Sequence, residues 1–363
     1  MQALHTCKAF LSIVQTKIGL VFAVFVPLLF TIVWMTGYNG ATERLDQLKV
    51  GIVNEDGRSG AVIIERMIQQ MPYQSVMYSS LQQAQQQMDQ GEVMMVIAIP
   101  AEFTEQGSSK QSAQLSYYVN EANSDIAKSM MEASAPAISA AVGKQAFGDV
   151  QEQIVSTNII KTHSIRNFAI SMLPMILGFV TYIGVMTMNI QLNLASMMLK
   201  RSHRKWDIFW GRQLLLVGVA LFGSLIVTSV AMLFANTTAS FWQMWGFHML
   251  VYAASIGVTQ MAFALFGNAA PLFNVALIPL QLMTAGNIIP AAMLTPFYRH
   301  IGSFLPAPNA IQGYLRLIYN DAPVGSFVLN LLLITLITWG VTWLRTALIR
   351  PATAPLTQPA VDH

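Results

Sequence analysis

Ile18–Met35 reads IGLVFAVFVPLLFTIVWM, and twelve residues later Leu48–Gly57 reads LKVGIVNEDG. The first stretch is 18 residues without a charge. As a helix it spans about 27 Å, close to the hydrocarbon thickness of a bilayer. The second has apolar Val50, Ile52 and Val53, then four turn formers from Asn54 to Gly57, which is the pattern of a buried strand running into a turn. A membrane helix that feeds directly into a polar unit of strands and helices predicts a polytopic α-helical membrane protein carrying an α/β domain.

The charge distribution supports this division. The chain has 363 residues, 54% hydrophobic and only 10% charged, where a soluble domain carries about 25% charge. Residues 36–166 hold 14 of the 17 acids and 9 of the 20 bases. The net charge of +3 comes largely from bases beside apolar runs, which speaks for membrane orientation and against nucleic-acid binding. The single cysteine, Cys7, forms no internal disulfide and has no ligand cluster around it.

Residues 1–17 read as a short interfacial helix, with Leu4, Phe10, Leu11 and Val14 on one face and Lys8 and Lys17 near headgroups. Residues 18–35 read as a retained membrane anchor, since no small-x-small cleavage site follows closely. Within 36–166, alternating patterns predict strands at 48–54, 73–80, 93–99 and 113–123. Helices are predicted at 59–71 and 80–92, the second capped by Ser80, and over 123–155 with an interruption near Pro136. Asn54, Glu55, Asp56, Asn120, Glu121 and Asp125 have the oxygen chemistry of a calcium site but no ligand spacing, and read as turns.

Five more apolar runs follow, at about 168–192, 214–234, 244–265, 272–289 and 327–344, making six spans in all. The loop between spans two and three carries Lys200, Arg201, Arg204, Lys205 and Arg212 against Asp207 alone. By the positive-inside rule it is cytoplasmic, and Arg212 is expected to snorkel to headgroups or meet a partner. Lys8, Lys17, Arg345 and Arg350 agree with that side, so both termini are expected in the cytoplasm and 36–166 outside it, inserted between spans one and two. The tail 347–363 is Pro-rich. Span five runs into GNIIP, and Pro290, with Pro296 and Pro306 beyond it, is expected to stop or kink the helix. The apolar piece 286–310 then reads as a re-entrant or interfacial pair of short helices on the outer side, or as a linker. No GxxxxGK[ST], HExxH or GxSxG occurs anywhere, so the chain contains neither a P-loop motor nor those hydrolase signatures.

This layout resembles the ABC-2 type permease superfamily, and within it the YhgE/Pip (phage infection protein) branch and the half-size exporter permeases. LKVGIVNEDG at 48–57 is similar to the branch's strand after span one, and VIAIPAEF at 96–103 to a later strand. The stretch from Ala285 to Arg316, with Gly286, Pro290, Pro296, Phe297, Pro306 and Arg316, is similar to its Gly/Pro-rich outer segment. The resemblance implies a transport subunit of the bacterial cytoplasmic membrane that is not itself an enzyme. It also implies pairing with a second permease and with a separate ABC ATP-binding subunit that holds ATP and magnesium. Contact with that ATPase is implied at residues 1–16 and 199–212, hence at Lys200, Arg201, Arg204, Lys205, Asp207 and Arg212. An amphipathic or hydrophobic exported substrate fits a bundle without acids. The alternative is a receptor or scaffold whose outer domain binds an envelope or secreted partner.

Overall fold

The computed structural model describes residues 32–33, 36–109, 111–147, 155–163, 168–200 and 202–348. The leader 1–17, nearly all of the first span, Arg201 and the tail from 349 lie outside the described residues.

The polar region is a five-stranded sheet with helices on both faces. In chain order it contains β1 (Lys49–Asn54), α1 (Gly57–Gln70), β2 (Gln74–Tyr78), α2 (Leu81–Asp89), β3 (Met95–Ile99), α3 (Phe103–Ser108), β4 (Ala113–Asn120), α4 (Asp125–Phe147) and β5 (Val155–Thr162). The strand order is β2-β1-β3-β4-β5. β1 runs parallel to β2 and β3, β3 antiparallel to β4, and β4 parallel to β5. β3 is buried on both faces, as a strand lying inside such a sheet must be. One face packs Ile52, Ile97, Leu115 and Tyr117 against Ile64 and Met67 of α1 and Met131 and Ile138 of α4. The other packs Val53 and Val96 against Ala84 and Met88 of α2. The Ser80 cap is present, its hydroxyl accepting from Gln83 N at 3.3 Å.

Two expectations for this region are corrected. α4 passes through Pro136 without a break. The helix expected over 123–155 is described over Asp125–Phe147, residues 148–154 lie outside the described residues, Val155 already opens β5, and β5 and α3 are additional elements. The Asn/Asp turns lie at opposite ends of the sheet, since Asn54 pairs with Ile99 while Asn120 follows the Met95–Val119 pair. Asn54 and Asp56 close their own turn, with Asp56 N donating to Asn54 Oδ1 at 3.0 Å. No cluster of metal-ligating residues exists among the described residues.

Four helical stretches among the described residues are long and apolar enough to cross a membrane: Leu173–Leu199, Lys205–Phe234, Phe241–Thr284 and Gly325–Leu348. The first two are α5 (Leu173–Leu199) and α6 (Lys205–Phe234). Each contains one π turn, at Ile176–Val180 and Val219–Gly223. The carbonyl of Leu221, inside the α6 π turn, accepts from Trp245 Nε1 at 3.3 Å. The third stretch turns at Gly267, whose φ of +53° is left-handed, and so has two legs, α7 (Phe241–Phe266) and α8 (Ala270–Thr284). Two short helices follow, α9 (Pro296–Ser303) and α10 (Pro306–Leu315), then α11 (Gly325–Leu348).

α6 starts nine residues before the expected third span and α8 ends five residues before the expected end of the fifth. α8 has 15 residues, about 22 Å, which is short of a bilayer core.

Candidate functional site

The broken segment after α8 ends in a way the prolines alone do not explain. α8 stops at Thr284, and Gly286 takes φ +76°, a conformation that L side chains adopt only at a cost. Pro290 lies four residues further on, already in extended backbone. The chain stops at glycine, and the expectation that Pro290 terminates the helix is corrected accordingly. Backbone groups released by the break are satisfied by side chains. Gln312 Nε2 donates to Ala285 O at 2.7 Å, Gln281 Oε1 accepts from Ala307 N at 3.0 Å, and Asn309 Nδ2 donates to Ser303 O and Leu305 O at 2.9 and 2.8 Å. Broken backbone at membrane depth needs this kind of cover. α10 is almost wholly buried, Pro306 included, and it seats Ile311 and Ala310 against Gly178 in the α5 π turn. Tyr314 of α10 hydrogen-bonds His248 Nδ1 of α7. On α9, Pro296 and Phe297 are exposed.

The segment is also a wedge under the sheet. Ile289 and Met293 belong to the same apolar core as β1, β3 and β4. Arg44 Nε donates to Met293 O at 2.7 Å. Beside it runs a polar joint. Arg316 donates to Gln90 O at 2.6 Å and Pro323 O at 2.8 Å, with its guanidinium 4.8 Å from the Phe327 ring. Asn320 Nδ2 donates to Asp89 O at 3.0 Å, and Asn120 Nδ2 to Asn320 Oδ1 at 3.3 Å. Asp89 also holds His163 at 2.8 Å, and that hydrogen bond raises the imidazole pKa above its ordinary value. A cavity of about 160 Å³ lies here, bounded by Gly91, Asn123, Gly286, Pro290, Gln312 and Arg316.

The opposite end of the bundle is basic. The turn between α5 and α6 is only five residues, from Lys200 to Arg204, and both of those named side chains are exposed. Asp207 is exposed in the first turn of α6, where the helix dipole favours an acid. Lys205 reaches across to α11 and donates to Thr346 O and Ala347 O, each at 3.3 Å, meeting the carbonyls a helix end leaves open. Arg345 of α11 in turn donates to Ala264 O of α7 at 3.3 Å. Trp206, Phe209, Trp210, Trp339 and Trp343 interlock around this corner at centroid distances of 5.2–6.4 Å. Aromatic residues gather in this way where a bilayer meets water.

Arg212 stands apart from the other bases. It donates to Asn189 Oδ1 of α5 at 2.6 Å, and Asn189 Nδ2 donates to Thr259 Oγ1 of α7 at 2.8 Å. Asn274 of α8 donates to Thr259 O at 3.3 Å, and Tyr182 OH to Asn274 O at 3.2 Å. Beside them Gln213 bridges Gln260 and Trp339 at 3.3 and 3.2 Å. A seam of uncharged polar groups, with one cation at its end, thus ties α5, α6, α7, α8 and α11 together inside an apolar bundle.

A bundle with a broken, internally capped helix pair, a basic end and a sheet on the opposite side has a counterpart among known proteins. Residues 17–345 match the model of the ABC-2 family transporter proteins. This chain belongs to the ABC-2 transporter family. The ABC-2 chain is also similar to the uncharacterized protein YhgE of Bacillus subtilis (strain 168), at 27% identity over 169 residues. That match takes in 46% of this chain and 21% of the relative, so the ABC-2 chain covers about a fifth of the length of the curated relative it matches. Family membership places it among the membrane proteins of ABC-2 type transporters.

The predicted site residues of this ABC-2 permease thus fall in three places. Lys200, Arg204, Lys205 and Asp207 sit together at the basic turn. Gly286, Pro290 and Arg316 line the cavity under the sheet, Pro306 is buried at the start of α10, and Pro296 and Phe297 lie on the exposed flank of α9. Arg212 points into the bundle, which corrects the expectation that it snorkels outward. The polar partners Asn189, Thr259, Gln260, Asn274 and Gln281 escape a search confined to ionisable residues. Their signal was present as isolated amides and hydroxyls within apolar spans, which in a membrane mark helix contacts or sites.

Proposed function

We propose that this chain is the permease half of an ATP-driven exporter in a bacterial cytoplasmic membrane, with its basic end in the cytoplasm and its sheet outside. It works with a second permease copy and a separate ABC ATP-binding subunit, which holds ATP and magnesium, and it moves an amphipathic or hydrophobic molecule outward. The observation that carries the coupling is the reach of Lys205. The exposed turn at Lys200–Arg204 is tied through Lys205 to the end of α11, and through Arg345 to α7. A force applied to that turn is therefore delivered to three helices at once, as a rigid-body transition requires. Arg204 and the neighbouring bases offer an acidic or polar ATPase surface its contact. Gly286, Pro290 and Arg316 form the hinge region at the other end of the same bundle.

Affinity purification of the full chain from its native membrane, followed by mass spectrometry, tests this. Recovery of a P-loop ATPase at about one per copy, lost in the Arg204→Glu, Lys205→Glu double variant, is the expected result. An inserted double variant that retains its ATPase at full yield sinks the coupling assignment. A second reading, as receptor or scaffold, has one observation in its favour, an apolar groove of about 280 Å³ between α1 and α4, walled by Met67, Met71, Tyr73, Ile138 and Val142. Purification with an envelope protein and no ATPase would favour it.

A further inference from the structure

In the bundle from 168 to 348 the acids are Asp207 and Asp321, and neither pairs with Arg212. The stretch 1–31 contains no acid either. Arg212 lies seven residues into α6, about 10 Å along its axis from Lys205. Asn189, its partner, lies eleven residues before Lys200, about 16 Å along α5. The guanidinium thus turns toward the middle of the bilayer, away from the headgroups that a snorkelling arginine seeks. Its Nε is sealed from solvent and has no hydrogen-bond partner. Arg212 as a residue is half-buried. Leu215, one turn further along α6, is 59% exposed, and Leu214 76%. A cation held at membrane depth without a counter-ion is costly, and such residues are retained where something anionic meets them.

We propose that Arg212, held by Asn189, is the receiving site for the anionic headgroup of an amphipathic lipid that enters between α5 and α6 from the cytoplasmic leaflet. The headgroup oxyanion meets the terminal Nη donors of the guanidinium, and the acyl chains lie along Leu214 and Leu215. Asn189 is the positioning residue, since its amide oxygen aims the guanidinium and its own amide is anchored to Thr259. This assignment rests on the exporter reading for its orientation and narrows the substrate class to net-anionic amphiphiles.

The test is a titration of the delipidated full-length protein in detergent, read by native mass spectrometry. The probes are dioleoyl phosphatidylglycerol, dioleoyl phosphatidylcholine and inorganic phosphate. A charge-assisted contact predicts that the anionic lipid binds about tenfold or more tighter than the zwitterionic one. Arg212→Gln is expected to bring that ratio to about one, while Arg212→Lys, which keeps the charge, retains much of it. Equal affinities in the wild type, or an unchanged ratio in Arg212→Gln, overturn the site. Displacement of the lipid by millimolar inorganic phosphate overturns the lipid assignment in favour of a free oxyanion. No ATPase enters this measurement, so a headgroup preference without an ATPase partner would fail the exporter reading alone. An ATPase-coupled complex without the preference would fail the site alone.

Discussion

If glycine and not proline ends α8, Gly286→Ala should be worse than Pro290→Ala. At Gly286 the backbone is left-handed, at φ +76°, which costs an L residue about 1–2 kcal/mol. The added Cβ would also sit 2.8 Å from Gln312 Nε2, the atom that donates to Ala285 O. Displacing that amide removes a hydrogen bond to a carbonyl the break has left open, at about 0.5–1.5 kcal/mol. The sum is about 1.5–3.5 kcal/mol. Pro290 is in extended backbone that alanine adopts freely, and its carbonyl still accepts from Met293 N. Its replacement costs unfolded-chain entropy, about 0.4–1 kcal/mol, and about 1 kcal/mol more for the buried ring atoms it removes. Thermal unfolding of the two purified full-length variants, followed by tryptophan fluorescence at one scan rate, separates these. At about 2 °C per kcal/mol, Gly286→Ala lowers Tm by roughly 5 °C and Pro290→Ala by roughly 3–4 °C. A larger loss for Pro290→Ala would falsify the glycine stop and return the break to the proline.

The joint between sheet and bundle should depend on pH through His163. Asp89 raises its folded pKa above the unfolded value near 6.5. The contribution is therefore complete below about pH 6.5 and is lost as pH rises through the folded value. The Tm gap between wild type and His163→Gln should be widest near pH 5.5 and close by pH 8.5, and a gap that widens toward alkaline pH refutes the pairing. In the sheet core Met131 is fully buried, so Met131→Ala should cost about 2–5 kcal/mol in unfolding. Glu132, one residue on, pairs with a half-exposed Lys161 at 2.8 Å, and Glu132→Gln should cost less than about 1 kcal/mol. At the start of α7, Ser240 and Gln243 cap each other's backbone amides. Ser240→Ala should remove about 1 kcal/mol, seen as a lowered Tm.

Elements whose burial follows a local period were legible in the sequence. β1 and β3 show as apolar runs bounded by turn formers, and α2 shows through the spacing of Leu81, Ala84 and Met88 beside a serine cap. β5 was not legible. VSTNIIKT is mostly half-buried at the sheet edge, so its side chains carry little alternation, and only pairing with β4 selects it as a strand. Pro136 misled for a related reason. Local propensity disfavours proline inside a helix, but Met131, Ala135, Ile138 and Val142 bury one face of α4 under the sheet, and packing decides against the local preference. The end of α8 shows the same limit in reverse. Proline is the stronger stop by propensity, yet the carbonyl of Ala285 at the break finds Gln312 from α10, and that partner exists only once α10 has folded back.

The basic turn was legible because charge at a membrane edge is a compositional signal, and the broken segment after α8 because glycine and proline punctuate it. The inward aim of Arg212 was not legible, although both halves of the reason lie in the sequence. A long cation two turns inside an apolar span has two ways to be solvated, outward to headgroups or inward to polar side chains. Sequence position gives the first a short path and leaves the second invisible, because Asn189, Thr259 and Gln260 become neighbours only when α5, α6 and α7 pack. The scarcity of acids near the spans was visible throughout, and it sharpens once the direction is known. An outward arginine meets its counter-ions in the headgroup layer and needs none from the chain. An inward arginine among amides and hydroxyls has no counter-ion among the described residues, and that is the observation the proposed headgroup site answers.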